Sequence, residues 1–338
     1  MTGGSFYVIK KSGLQKLLDS LSRRMTVFVP VKGPDDYNFR EMKPGNSLNI
    51  DGYENTEFPP RMIFMPDRET ILEYEKNSAK APAEARTAVF GIRPCDVHAL
   101  NILDKVMLGH DYREEHYGKK RERSVVMALA CRKAGENCFC GSMGTDAVKE
   151  GFDLLFTEQG DGYHVAAGSE KGERIVAENK RLFRKTDDEA KKIRIRCKKN
   201  MNIENLPEIM KDMRDSKIWQ DVAGRCLSCA SCTFSCPTCY CFSLTHESDI
   251  ANPDRARVLR EMDYCMLVRF SRVAGGFVFR KERNERVKQF FYHKLLYGYN
   301  NEGALHCVGC GRCISECMAK IDITEEVRKV REEHGRKK

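Results

Sequence analysis

Two runs of cysteine carry the chemistry of this chain. RCLSCASCTFSCPTC places Cys226, Cys229, Cys232 and Cys236 ahead of Pro237, and HCVGCGRCISECM places Cys307, Cys310, Cys313 and Cys317. Both read C-x2-C-x2-C-x3-C, the spacing that wraps three thiolates around one iron–sulfur cube and sends the fourth to a neighbouring cube. Cys226, Cys229, Cys232 and Cys317 are therefore expected to hold one 4Fe–4S cluster. Cys307, Cys310, Cys313 and Cys236 are expected to hold a second. Small residues between the ligands (Ser228, Ala230, Gly309 and Gly311) let backbone N–H groups turn toward the sulfurs. Met318 stands where a proline often follows the fourth cysteine. Structural zinc is the rival occupant, but it uses well-separated C-x2-C knuckles, and four cysteines this crowded do not suit it.

A third set is dispersed. Cys95 ends the apolar run AVFGI with its short tail RPC. Cys131 ends SVVMALA, and Cys138 and Cys140 follow in the loop RKAGENCFCGSMG. If the two apolar runs are parallel strands joined by a helix, their carboxyl ends emerge at one sheet edge, where open α/β sheets bind ligands. Cys95, Cys131, Cys138 and Cys140 are then candidates for a third 4Fe–4S cluster. Three other readings compete: buried small hydrophobes, a zinc site, or a nucleophilic Cys95. Asp96 argues against the nucleophile, because an adjacent carboxylate disfavours a thiolate. Cys197 reads as a lone packing or surface thiol. Cys239, Cys241 and Cys265 read as packing, with another metal site as the alternative.

The elements that position these residues follow from pattern. Residues 12–21 place Leu14, Leu17, Leu18 and Leu21 on one helical face. TVFVPV (26–31), RMIFMP (61–66), AVFGI (88–92) and SVVMALA (124–130) read as strands, and 32–59 reads as loop. Residues 96–108 read as an amphipathic helix with Asp96 as its N-cap. Residues 152–168 read as a hairpin turning at Gly160–Gly162. Helices are expected at 253–262, at 281–297 and at the charged C-terminus, whose end is expected to fray. The fold class expected is an α/β N-terminal domain with a parallel-containing sheet, followed by a mostly helical, two-cluster ferredoxin-like domain. The expected boundaries are 1–168 for the α/β domain, 169–219 for a charged helical connector and 220–338 for the cluster domain with its helical insert.

The chain has 338 residues, sixteen cysteines and a formal net charge of +9. MTGGSFYVIKKSG lacks the pattern of a signal peptide, and no apolar run approaches the ~18 residues of a membrane span. A cytoplasmic setting is expected, where structural disulfides are rare and abundant cysteine points to metal or redox chemistry. The basic residues are scattered rather than grouped with aromatics, so nucleic acid is not the expected partner. Three oxidised clusters at roughly −2 each would bring the holo-chain to about +3.

The stretches GIRPCDVHALNILD, ENCFCGSMGT, RCLSCASCTFSCPTCYCF, VAGGFVFR and CVGCGRC together resemble the iron–sulfur beta subunit of cytoplasmic NAD(P)-linked sulfhydrogenases. The set is also similar to a 4Fe–4S dicluster relative, the corresponding iron–sulfur component of anaerobic sulfite reductases. The resemblance spans about residues 87–317. It implies a non-catalytic relay subunit. Its partners would be a flavin- and NAD(P)-binding subunit, together with a catalytic subunit of nickel–iron or sirohaem type. It also implies shared counterparts of Cys95, Cys131, Cys138 and Cys140, and of Cys239, Cys241 and Cys265. No dinucleotide fingerprint, P-loop or HExxH accompanies the cysteines. Two rival functions remain at this stage: a self-sufficient redox enzyme whose N-terminal cluster acts on a small substrate, and a binding module with structural zinc.

Overall fold

The computed structural model describes residues 5–337 apart from positions 35, 192 and 194. The first four residues of the stretch read for a signal peptide, and positions 192 and 194 of the expected connector, lie outside the described residues. The strands in chain order are β1 (Phe6–Lys10), β2 (Thr26–Lys32), β3 (Tyr37–Glu41), β4 (Arg68–Glu75), β5 (Ser78–Lys80), β6 (Thr87–Ile92), β7 (Ser124–Leu129), β8 (Leu154–Gln159), β9 (Gly162–Ala167), β10 (Arg184–Thr186), β11 (Phe242–Ser248) and β12 (Arg255–Met262).

Eight of them form one sheet in the order β10-β1-β9-β8-β7-β6-β2-β3. Its centre is parallel: β2 with β6, β6 with β7, and β7 with β8. The helix Pro94–Leu108 crosses between β6 and β7, as the alternation of apolar runs and helical pattern requires. Strand residues alternate between two cores. Ala88, Phe90, Val125 and Met127 face Leu14, Leu17, Leu18 and Leu21 of the helix Lys11–Ser22. Val89, Ile92, Val126 and Ala128 face the opposite side.

That second side is a single apolar core running from the sheet into the cysteine-rich region. It includes Leu100 and Leu103 of the crossover helix, Trp219, Phe291 and Val330. A smaller sheet, β11-β12-β4-β5, likewise joins the N-terminal residues 68–80 to the insert between the cysteine motifs. The chain thus crosses the expected boundaries at 168 and 220 both in its core and in its pairing.

Several local expectations are corrected. RMIF forms a short helix, Arg61–Phe64, because Pro59 and Pro60 set helical entry and Arg61 and Phe64 are both buried. Residues 255–262 form a strand rather than a helix. Paired between β4 and β11, they bring Arg257 against Glu247, while Arg68 of β4 reaches Glu261. Residues 32–59 include β3. Among its described residues the connector is helical at Glu170–Glu178, at Leu206–Asp212 and from Ile218, where the helix Ile218–Arg225 begins. Arg93, not Asp96, occupies the N-cap position of the crossover helix, without a side-chain capping bond, and Pro94 stands in the first turn. The C-terminal helix Ile323–Lys337 is anchored by buried Ile323, Val327 and Val330.

Candidate metal centre

The two cysteine motifs adopt the same backbone path. Ser228 and Ala230 in the first, and Gly309 and Gly311 in the second, have φ of +56°, +67°, +64° and +80° at equivalent positions. This left-handed conformation is costly for the two non-glycine residues and persists only where surroundings demand it. The Ser228 N–H donates to Cys226 Sγ at 3.4 Å, and past the second motif, after left-handed Lys320 (φ +55°), the Ile321 N–H donates to Cys317 Sγ at 3.3 Å.

Each motif opens onto a small cavity. One, of about 50 Å³, is lined by Cys226, Cys229, Cys232 and Cys317, and also by Cys313, with Val287, Phe290 and Ile321 among its apolar walls. The other, of about 20 Å³, is lined by Cys236, Cys307, Cys310 and Cys313, together with Phe139 and Lys294. Three cysteines of one motif and the last of the other thus meet at each void. Among the described residues, no three His, Cys, Asp or Glu side chains converge on a single-ion point. Tetrahedral zinc would draw its sulfurs to about 3.8 Å from one another. These thiols instead surround a space, and all sixteen are free of disulfides. Burial, opposed by the Gly309 amide, pushes the Cys307 thiol up to about 12, and burial with the neighbouring thiolates of Cys226, Cys317 and Cys229 raises Cys232 further. Four thiolates crowd together in such a site only around a cationic metal core.

The dispersed set also converges. Cys95 is buried in the first turn of the crossover helix, Cys131 lies two residues past β7, and Cys140 opens the short helix Cys140–Met143. After burial, the charges of Cys197, Cys138 and Cys131 all raise the Cys140 thiol, and those of Asp96, Cys310 and Cys140 raise Cys95. This corrects the reading of Cys197 as a lone thiol, since its sulfur is 3.7 Å from that of Cys140. It comes from the charged connector, with no spacing signal to mark it.

The dispersed set lies directly on the second motif. Phe139 N–H donates to Gly309 O at 2.8 Å, Thr145 Oγ1 to Val308 O at 2.6 Å, and Cys138 Sγ approaches Cys310 O at 3.5 Å. Backbone contact this close requires glycine. A Cβ on Gly311 would stand 2.4 Å from Asn137 O, and one on Gly309 would stand 2.7 Å from the Cys140 backbone. Arg312, between Cys310 and Cys313, makes a buried bidentate pair with Asp96, at 2.6 and 2.8 Å.

Residues 225–321 match the family model of a 4Fe-4S dicluster domain. Across 315 residues the chain is 33% identical to sulfhydrogenase 2 subunit beta of Pyrococcus furiosus, covering 90% of this chain and 92% of that protein. The chain belongs to the sulfhydrogenase beta-subunit family. Its cysteine runs are those of an iron–sulfur subunit, and 4Fe–4S clusters are the cofactors its dicluster domain takes.

Buried cations test whether the residues of this beta-subunit relative fit such groups. Six Arg or Lys side chains are buried among the described residues: Arg61, Arg93, Arg260, Arg286, Lys294 and Arg312. Arg260 and Arg312 pair with carboxylates. The other four rest on neutral acceptors, nearly all of them backbone carbonyls, and each borders a cysteine loop. Arg61 donates to Phe234 O and Cys236 O, and Arg93 to Ala130 O beside Cys131. Arg286 donates to Met266 O and reaches Ser228 Oγ at 3.4 Å, and Lys294 donates to Thr238 O and Oγ1. A buried cation without an anionic neighbour is strongly unfavourable. Anionic clusters held by these thiols would supply the missing charge, so the residues fit the group. Sequence reading misses these cations, because nothing in their spacing marks them.

Cys239, Cys241 and Cys265 sit beside the same motif. The Cys236 and Cys239 thiols shift one another's acidity, as do those of Cys241 and Cys265, and the Lys294 ammonium favours the thiolate in all four.

Proposed function

We propose that this chain is the relay subunit of a multi-subunit cytoplasmic oxidoreductase. On this reading Cys226, Cys229, Cys232 and Cys317 hold one 4Fe–4S cluster, and Cys236, Cys307, Cys310 and Cys313 hold a second. Cys95, Cys131, Cys138 and Cys140 hold a third. Its electrons come from or go to a flavin- and NAD(P)-binding subunit, while a catalytic subunit of nickel–iron or sirohaem type stands at the other end. Bound clusters supply one-electron redox chemistry; the protein supplies placement and electrostatics.

The observation that carries this reading is the order of the thiol groups. The sheet-edge group abuts Cys310 of the second void, and Cys313 lines both the second void and the first. Cys229, at the far end, is exposed. A line of buried redox sites ending at the surface is what transfer between partners needs. The rival reading, a substrate-binding enzyme, would use the cleft of about 810 Å³ beside Arg93 and Tyr53. Among its charged groups Glu158 pairs with Lys11 and Arg132, and Glu54 with Lys133, while Asp51 adds a further carboxylate to its lining. Arg93 there donates to the Glu54 and Ala130 carbonyls.

The test is iron analysis with EPR on Cys95→Ser and Cys197→Ser. The first is expected to lose about four irons per chain, one cluster's worth, and the second none. The isolated chain is expected to take up electrons without turnover. If Cys95→Ser retains all its iron, the third ligand set is wrong.

A further inference from the structure

The two C-terminal voids have cysteine sets of the same kind but differ in charge. The walls of the void lined by Cys226, Cys229, Cys232 and Cys317 carry no ionisable group other than its cysteines. Lys294 stands in the wall of the void lined by Cys236, Cys307, Cys310 and Cys313. Its side chain is fully buried, and among the described residues the charges that act on it are the thiols of Cys236, Cys239 and Cys265, with no carboxylate within ion-pair distance. Nζ donates to Thr238 Oγ1 at 2.9 Å and Thr238 O at 3.2 Å, two residues past Cys236. Arg61 adds a second cation against the Cys236 carbonyl. The local backbone is unusual as well. The helix Arg283–Tyr292 runs into a π-helical turn, His293–Tyr297, which carries Lys294. Such turns are rare and cluster at functional positions.

Resting on the dicluster reading above, we infer that Lys294 is a potential-setting residue: its buried ammonium raises the reduction potential of the cluster at Cys236, Cys307, Cys310 and Cys313, so that a transferred electron comes to rest there. Reduction adds negative charge to a cluster, and a fixed cation in a low-dielectric wall stabilises the reduced form more than the oxidised one. The first cluster has no such cation in its walls. Arg286 lies outside that void, on the Ser228 loop. In the sheet-edge group the Arg312 charge is cancelled by Asp96, and Arg93, beside Cys131, is turned onto the carbonyls of Glu54, Leu129 and Ala130, whereas Lys294 acts directly on Cys236, Cys239 and Cys265. The middle site is therefore the electron sink of the line.

Anaerobic redox titration followed by EPR tests this on the full chain carrying its clusters. Lys294→Met and Lys294→Gln are expected to lower one cluster's potential by about tenfold in its reduction equilibrium, about 59 mV for one electron, and to leave the others in place. Selective loss of one cluster's iron in both neutral variants, with recovery in Lys294→Arg, also supports the assignment. Unshifted potentials with full iron overturn it. So does a Lys294→Arg variant that behaves like the neutral ones, because the role is then steric. Wild-type protein without iron would instead defeat the relay reading itself.

Discussion

The C-terminal dicluster region and the sheet-edge cysteine group gather thiols in different ways. In the first, local sequence suffices: two short loops repeat one backbone path, left-handed at Ser228 and Ala230 and again at Gly309 and Gly311. In the second, three stretches far apart in sequence bring in Cys95, the Cys131–Cys140 loop and Cys197. The first region depends on turn chemistry. The second depends on the sheet, the crossover helix and the Asp96–Arg312 pair all being in place. The two are welded together at Gly309 and Gly311, so damage to the weld should reach both.

The weld offers the largest effect. Gly311→Val would set a branched side chain at φ +80° against the Asn137 carbonyl and the Cys138 amide. A loss of more than about 3 kcal/mol is expected, together with the iron of the sheet-edge group. Thermal unfolding and iron analysis read both. Next is the buried pair. Arg312→Met leaves Asp96 charged and alone at 1% exposure, which should cost about 3–5 kcal/mol. Adding Asp96→Asn should return most of it, and denaturant unfolding of all three variants separates the pair from simple packing loss. A double variant no better than Arg312→Met would show that the pair is not what joins the two regions.

A smaller effect belongs to the sheet that ties residues 68–80 to the insert. Glu69 meets His116, Lys120 and Arg260, and these partners overcome burial to hold its carboxyl down at about 2. A depressed carboxyl contributes stability that is complete above its unfolded value near 4.5 and is lost as pH falls toward 2. After allowance for partial exposure, the contribution is on the order of 2 kcal/mol. Glu69→Gln should be less stable than wild type by that amount at pH 7, with the gap narrowing below pH 4.5. Chemical unfolding at several pH values checks the sign. The smallest effect probes the asymmetry between the motifs. Ser228→Gly should relieve left-handed strain and stabilise the first loop by up to about 1 kcal/mol, seen as a raised midpoint of unfolding.

The same contrast explains what is legible in the sequence. Spacing alone points to Cys226 through Cys236 and Cys307 through Cys317, because a cube constrains the local chain. The strand ends at Cys95 and Cys131 are readable from apolar runs, since parallel strands put both at one edge. Cys197 is not, because its place is set by where the connector returns to the sheet. The strand at 255–262 reads as a helix because Arg257 and Glu261 suit i,i+4 spacing as well as cross-strand pairing with Glu247 and Arg68. Arg61, Arg93, Arg286 and Lys294 look like ordinary surface charge in sequence. Only their burial against loop carbonyls reveals counter-charges.

Iron and acid-labile sulfide per chain, measured on anaerobically purified protein, test the central claim most directly. About 12 irons with matching sulfide are expected, four for each of three clusters. About eight would remove the sheet-edge cluster and leave the dicluster intact. Folded protein holding zinc, or no metal at all, would contradict the account.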